Sequence, residues 1–527
     1  MKDNTVVVDK STSPAEIRFA PVFNVAVAFI DRHVEEGRAK SVALRTEQGD
    51  VTYGQLAEGV DRCGNALKAL GLRAGDRALM AVYDSPMFFH AFWGAIKAGI
   101  IPIPVNTLLK SNEYQFLIKD AEVRAFLYSP PLADRVIPAV EAAAGESCRA
   151  VAVSGPNSLE QQMAGAEASL APAATTEDTE CFWLYSSGST GNPKGVVHVH
   201  RDMVITSERY GQGIAGIRDT DTVYCASKLF FSYGFGGGMT FPLWAGSSIV
   251  LREEMSTADL TFDVIEKHRP SVFFGVPTLY AQQIHLSDSR RPDMSSVRAA
   301  LSAGEALPAH VFEQARDRSG FSILDGIGST EVLHIFVSNR HDDIKPGTSG
   351  RVVPGYEVRI VGEDGEPLPP GEIGTLHVKG ESNAQMYWKN PEKTAKTMLG
   401  DWLNTGDMYY VDDEGHYVNA GRGDDMLKVG GMWCSPIDIE SCLIRHPEVR
   451  EAAVIGRSDD DGLVKPAAYI VVKNPSVDQG EISKNLQEFC KSELAGYKYP
   501  RWFYFIDELP KTVTGKIQRF KLRMLDQ

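Results

Sequence analysis

The stretch 185-YSSGSTGNPKGV-196 has the chemistry of a polyphosphate cradle. Gly188 and Gly191 carry no Cβ, so the backbone can turn sharply there and bring its N–H groups against an anion. Ser186, Ser187, Ser189 and Thr190 add short hydroxyl donors, and Lys194 adds a cation on a flexible stem. The spacing is not that of a Walker A loop, where Lys directly follows the last Gly and Ser or Thr follows Lys. Here Asn192 and Pro193 intervene, and Gly195 comes next. Apolar 182-FWLY-185 precedes the loop and β-prone 196-VVHV-199 follows it, a pattern that predicts strand–loop–strand. A helix dipole then supplies little, and the loop's own donors must do the binding. A flexible Ser/Gly linker is the alternative, but linkers rarely sit between two buried strands.

Further polar strings follow in order: 326-GIGSTE-331, 404-NTGD-407, 421-GRGDDMLKVGG-431 and 509-LPKTVTGK-516. In the first, a hydroxyl and a carboxylate stand beside glycines, which suits a phosphate contact (Thr330) next to a Mg²⁺ ligand (Glu331). In the second, Asp407 follows Gly406 and, read alone, is a turn residue; only its place in the order of motifs lifts it. Together the strings resemble the motifs of the adenylate-forming superfamily, which includes acyl-CoA synthetases, adenylation domains of peptide synthetases and firefly-type luciferases. The resemblance runs from residue 185 to residue 516. The longer strings 228-KLFFSYG-234, 302-SAGEALP-308 and 328-GSTEVLHIF-336 resemble most the benzoate- and hydroxybenzoate-CoA ligase branch.

That resemblance implies an acid–thiol ligase that uses ATP, Mg²⁺ and coenzyme A. A carboxylate is a poor target for a thiol because oxide is a poor leaving group; conversion to an acyl-adenylate makes AMP the leaving group. No protein nucleophile is needed, and no G-x-S-x-G elbow is present. Carried over to this chain, Glu331 becomes the magnesium ligand, Thr330 a phosphate contact, and Lys516 a cation that reaches the carboxylate and α-phosphate. Ala303, Gly304 and Glu305 would border the adenine on one side, with Asp325, Gly326 and Ile327 on the other. Ile327 stands where many relatives place an aromatic residue. Arg422 would join Asp407 at the ribose. Lys428, Gly430, Gly431 and Trp433 would meet the pantetheine arm of coenzyme A. The acid pocket falls on Ser232, Tyr233, Gly234, Gly328, His334 and Ile335. Ser232 replaces the Ala usual in benzoate-type relatives, and Gly237–Gly238 replace Asn–Ala. These departures lead us to expect a more polar and roomier pocket, suited to a hydroxy- or amino-benzoate or a bulkier ring acid. A non-aromatic cyclic or medium-chain acid, and the loading of a carrier protein in place of CoA, stay open as alternatives.

Composition sets the outer bounds. A chain of 527 residues exceeds one core, so two or three lobes are expected. Its 43% apolar and 23% charged content is ordinary for a globular protein. A net charge of −15 argues against nucleic acid or an anionic membrane as partner. The partners expected are the acid, ATP and CoA, with a homodimer also open. Seven cysteines without a C-x-x-C pair point to reduced thiols, and so to the cytoplasm. His198 and His200 alternate on a strand and are expected as packing or surface residues, not as a metal pair.

Alternation of apolar helices and short strands through residues 55–106 and 247–276 predicts βαβ units on a mostly parallel sheet. Gly- and Pro-rich alternating segments such as 373-IGTLHVKG-380 predict a smaller antiparallel sheet after it. The expected fold is therefore mixed α/β; the resemblance implies a large N-terminal core over 1–423, then a small mobile α+β lid over 424–527. Resemblance places the hinge at Asp424.

Overall fold

The computed structural model describes residues 1–143, 147–186, 192–287, 289–429, 432–459, 463–494, 497–511 and 516–525, with only the backbone of Lys428 and Trp433. The predicted α/β alternation is realised as two parallel-rich sheets. The larger contains, in spatial order, Arg351–Val352, Ile335–Ser338, Ile323–Gly328, Ala299–Ser302, Val272–Gly275, Thr222–Cys225, Ser248–Val250, Val42–Thr46 and Gly49–Thr52. Its six middle strands, from Ile323–Gly328 to Val42–Thr46, run parallel, and antiparallel strands close both edges. The smaller orders Ile101–Pro104, Arg77–Ala81, Ala125–Tyr128 and Arg149–Ala152, all parallel.

Local sequence explains the helices between them. Thr52 caps Tyr53–Ala69: its hydroxyl accepts from Gln55 N, while the Gln55 side chain accepts from Thr52 N. Pro86 opens Pro86–Lys97, where its missing N–H costs nothing. Lys97 lies in the most apolar stretch of the chain and is 4% exposed. Its ammonium is matched by Asp31 at 2.9 Å and by Asp61, which lets a core helix carry a buried charge. Among the described residues no helix is long and apolar enough to cross a membrane.

Next comes the antiparallel sheet, with Glu357–Val361, Gly374–Lys379 and Trp402–Val411 side by side and Tyr417–Arg422 paired to the last. A small C-terminal domain follows. Pro436–Ile444 and Gln479–Glu493 pack with one face of the strands Val449–Ser458, Val464–Val472 and Trp502–Phe505. Glu440 is buried there and receives Arg519 through two bonds, at 2.8 and 2.7 Å, and Val454 N at 2.7 Å. That pair fastens the chain's last segment to the domain.

The crossing between the two domains is short. On the large-domain side, Gly423 N donates to Gly406 O at 2.9 Å and Arg422 donates to Asp407 Oδ1 at 2.8 Å. On the small-domain side, Asp425 pairs with Arg519 and Arg523, and Arg523 also donates to Asp424 O at 3.3 Å. Asp425 N and Met426 N both donate back to Arg422 O at 2.9 Å, closing a turn over Gly423 and Asp424.

Candidate active site

The segment expected to bind phosphate is flanked by a buried hairpin. Glu180–Ser186 and Lys194–Val199 pair antiparallel, with Ser186 opposite Lys194, so strand–loop–strand is what forms. Ser187, Gly188, Ser189, Thr190 and Gly191 lie outside the described residues. A third short strand, Met386–Tyr387, pairs with Val196 and Val197. It delivers Tyr387, whose hydroxyl donates to Glu331 Oε1 at 2.7 Å; Ser186 Oγ donates to the same oxygen at 3.2 Å. Lys194 Nζ lies 4.7 Å over the Tyr387 ring. Burial lowers the Lys194 pKa and the Glu331 carboxylate pulls it back up. Burial and Glu331 together raise the Tyr387 pKa, so its hydroxyl keeps the proton it donates. Sequence pattern offered no signal for Tyr387, because its role depends on a strand pairing nearly 200 residues away.

Glu331 sits in the turn Thr330–Val332, which joins Ile323–Gly328 to Ile335–Ser338. Ser329 caps the turn by accepting from Val332 N. Ala384 N donates to Glu331 O at 2.8 Å. Beneath the turn, His198 Nε2 meets Thr330 O at 2.8 Å and Nδ1 meets Asp202 Oδ2 at 2.8 Å. His200 accepts from Val25 N. Both histidines are buried and hydrogen-bonded, so of the packing and surface positions expected the packing one holds; but His200 begins the helix His200–Thr206, so only His198 lies on the strand.

Of the positions expected at the nucleoside, Asp407 and Arg422 face each other across paired strands. Ala303, Gly304 and Glu305 extend from the end of Ala299–Ser302, and Ile327 is half-buried beside buried Gly326. Asp325 is fully enclosed. Burial pushes its carboxyl up to about 7, and the Ser302 hydroxyl with the Leu307 and Gly326 N–H groups offset only part of this. Burial also raises the Glu305 pKa, while Lys516, Arg519 and Lys511 draw it back. Lys516 of the small domain is thus within electrostatic reach of Glu305 in the large one.

Among the positions expected to line the acid pocket, Ser232 opens the short helix Ser232–Phe235 and is half-buried. Tyr233 stacks on His334, with ring centroids 5.6 Å apart, and Phe274 stands edge-on to Tyr233 at 5.7 Å. His334 Nε2 donates to Tyr233 O at 3.3 Å, and burial depresses its pKa to about 3, so the ring is neutral. Gly328 ends its strand and Ile335 starts the next. Gly234 is required by a close pass: a Cβ there would lie 2.1 Å from Lys228 O. The roomier pocket expected from Gly237–Gly238 is not what forms. A Cβ on Gly237 would fall 2.7 Å from the Phe274 ring, and one on Gly238 3.0 Å from Leu229. Phe274 occupies the space beside Gly237, and Leu229 with Cys225 the space beside Gly238.

Of the positions expected at coenzyme A, the backbones of Lys428 and Trp433 pair in the hairpin Leu427–Val429 and Met432–Cys434. Gly430 and Gly431 lie outside the described residues.

Among the described residues no group of three or more His, Cys, Asp or Glu side chains is placed to hold a metal. Glu331 still fits Mg²⁺. Both hydrogen bonds that described residues give its carboxylate fall on Oε1, and Mg²⁺ typically takes one or two carboxylates with substrate phosphates and water.

A model of AMP-binding enzymes matches residues 30–388, and one of their C-terminal domain matches residues 438–516. The chain belongs to the AMP-binding, adenylate-forming enzymes. Within that family it falls in the benzoate- and hydroxybenzoate-CoA ligase branch. It is 47% identical to the benzoate–CoA ligase of Thauera aromatica over 98% of this chain and 99% of that one. The crystal structure of a benzoate CoA ligase from Burkholderia xenovorans LB400 is similar with a TM-score of 0.88 at 43% identity, covering 95% and 100% of the two chains. That of the anthranilate CoA ligase AuaEII in complex with anthranoyl-AMP reaches 0.91 at 38% identity, covering 96% and 98%. As an adenylate-forming enzyme, the chain has the large N-terminal and small C-terminal domains of the mixed α/β fold expected.

Proposed function

We propose that this enzyme activates an aromatic carboxylate with ATP and transfers it to coenzyme A, releasing pyrophosphate and then AMP. The observation that carries this reading is the two-sided segment 325–335. Glu331 faces the phosphate hairpin, where Ser186 and Tyr387 hold it beside Lys194. His334, three residues on, packs against Tyr233 in an aromatic wall. A ring acid held there has its carboxylate next to the α-phosphorus, and that proximity supplies much of the rate.

The loop donors and Lys194 bind the triphosphate, Asp407 with Arg422 binds the ribose, and Ile327 packs on the base. Mg²⁺ at Glu331 would offset charge on the departing pyrophosphate. Lys516 neutralises the meeting of carboxylate and phosphate. The large domain spans 1–423 and the lid 424–527, turning at Asp424 so that Lys428, Gly430, Gly431 and Trp433 replace Lys516 at the cleft for thioester formation. Ser232 makes a hydroxy- or amino-benzoate the preferred acid. The seven cysteines, none disulfide-bonded and six of them buried, suit a reducing cytoplasm.

AMP release is to be measured over ring-substituted benzoates and aliphatic acids, with and without CoA. The reading expects CoA-dependent AMP release that is fastest with a polar-substituted ring. Turnover only with aliphatic acids, or none with CoA, overturns it.

A further inference from the structure

The buried pair His198–Asp202 lies beneath the phosphate site, and no step described above uses it. Both residues are inaccessible to solvent. The ring is held from every side. Nδ1 meets Asp202 Oδ2 at 2.8 Å, Nε2 meets Thr330 O at 2.8 Å, and the Phe182 ring stacks on it at 5.2 Å and 14°. A carbonyl oxygen only accepts, so Nε2 must carry a proton. Asp202 Oδ2 also accepts from Val199 N at 3.1 Å, which orients the carboxylate toward Nδ1. Wherever the proton between Nδ1 and Oδ2 resides, Nε2–H keeps pointing at Thr330. His198 sits on the strand that leaves the phosphate loop, and Thr330 precedes Glu331. One imidazole therefore bridges the phosphate hairpin and the Glu331 turn from below, while Ser186 and Tyr387 bridge them from above.

We propose that His198, oriented by Asp202, is a positioning residue that sets the spacing between the phosphate loop and the Thr330–Glu331 turn, and so tunes triphosphate binding and adenylation without touching substrate. This rests on the nucleotide site assigned above. A residue that only filled the core would matter for folding alone. One that sets the spacing matters for the first half-reaction and is indifferent to the second.

The test compares His198→Phe, which keeps the stack and loses the donor, with His198→Gln, which restores an N–H near Nε2, and with Glu331→Gln. For each, thermal stability, the Kd of a non-hydrolysable ATP analogue by calorimetry, acyl-AMP formation, and thioester formation from supplied acyl-adenylate and CoA are measured. His198→Phe is expected to weaken analogue binding and slow adenylation by about tenfold each, the scale of one buried hydrogen bond. Thioester formation is expected to be unchanged, and His198→Gln to recover most of the loss. If Glu331→Gln is impaired while His198→Phe binds and adenylates normally, the positioning role is overturned. The same follows if His198→Phe slows both half-reactions equally or if His198→Gln recovers nothing. If Glu331→Gln is also unimpaired, the site assignment falls and this proposal with it.

Discussion

At the scale of single residues, the cleft is defined by carboxylates in contrasting surroundings. Glu331 is half-exposed and receives hydrogen bonds from Ser186 and Tyr387. Glu331→Gln should cut acyl-AMP formation by ~10²-fold, the loss typical of one key electrostatic group. A pyrophosphate-release assay at saturating Mg²⁺ measures it, and the melting temperature should hold. Asp325 is enclosed, and burial raises its carboxyl from 3.8 to about 7. A folded-state pKa above the unfolded one means the native state keeps a proton that the unfolded chain has lost. Stability from this group is therefore fully present below pH 3.8 and is lost as pH rises through about 7. The span corresponds to roughly 4 kcal/mol at most. Asp325→Asn should remove this component, so the variant gains stability relative to the parent as pH rises across that window. Parallel denaturant titrations across the window test this; a constant difference would contradict it.

At the scale of elements, the helix Ser232–Phe235 and its continuation Gly236–Thr240 show how a pocket wall is set by its neighbours. Gly237→Ala places a methyl group against Phe274 and should destabilise the fold by about 1–3 kcal/mol, the usual cost of overpacking. Thermal melting checks this, and a neutral result would mean that Phe274 yields freely. The same wall marks the limit of sequence reading. Helical periodicity located Tyr53–Ala69 and Ala258–His268 well, because amphipathic spacing is a local property. The phosphate hairpin was legible for the same reason, its apolar flanks being adjacent in the chain. Sheet order was not: Ser248–Val250 and Val272–Gly275 follow each other in sequence, yet Thr222–Cys225 lies between them. The volume left by Gly237, the reach of Tyr387 to Glu331 and the bond from His198 to Thr330 all depend on long-range packing. Alternation along a strand shows that a histidine points inward but not which carbonyl it meets.

At the scale of the whole molecule, an anionic protein concentrates cations where ATP must bind. The net charge is −15, yet Lys194 and Arg422 stand at the proposed ATP site and the Lys516 charge acts on Glu305 from the other domain. Lys516 and the segment 428–431 sit on one small domain and serve different half-reactions under the proposed mechanism. Lys516→Ala should abolish acyl-AMP formation and spare thioester formation from supplied acyl-adenylate and CoA. Equal slowing of both would refute a two-position lid. Asp424→Pro, which restricts φ at the proposed pivot, should do the reverse if it holds the lid over the ATP site: adenylate accumulates and CoA transfer slows. Quenched-flow measurement of the two intermediates separates these cases.

The crossing at residues 422–425 has a kinematic consequence. Gly423 N is tied to Gly406 and Arg422 to Asp407 on one side, and Asp425 is tied to Arg519 and Arg523 on the other. Peptide planes are stiff, so under the proposed hinge rotation between the two domains would be left to the φ and ψ of Gly423 and Asp424. Such a joint would have very few degrees of freedom and little slack. The two bonds from Asp425 and Met426 to Arg422 O would then act as its latch. Because Arg422 shares Asp407 with the proposed ribose site, a bound nucleotide would bear directly on that latch, and the chemical state of the substrate could time the swing without any separate sensor.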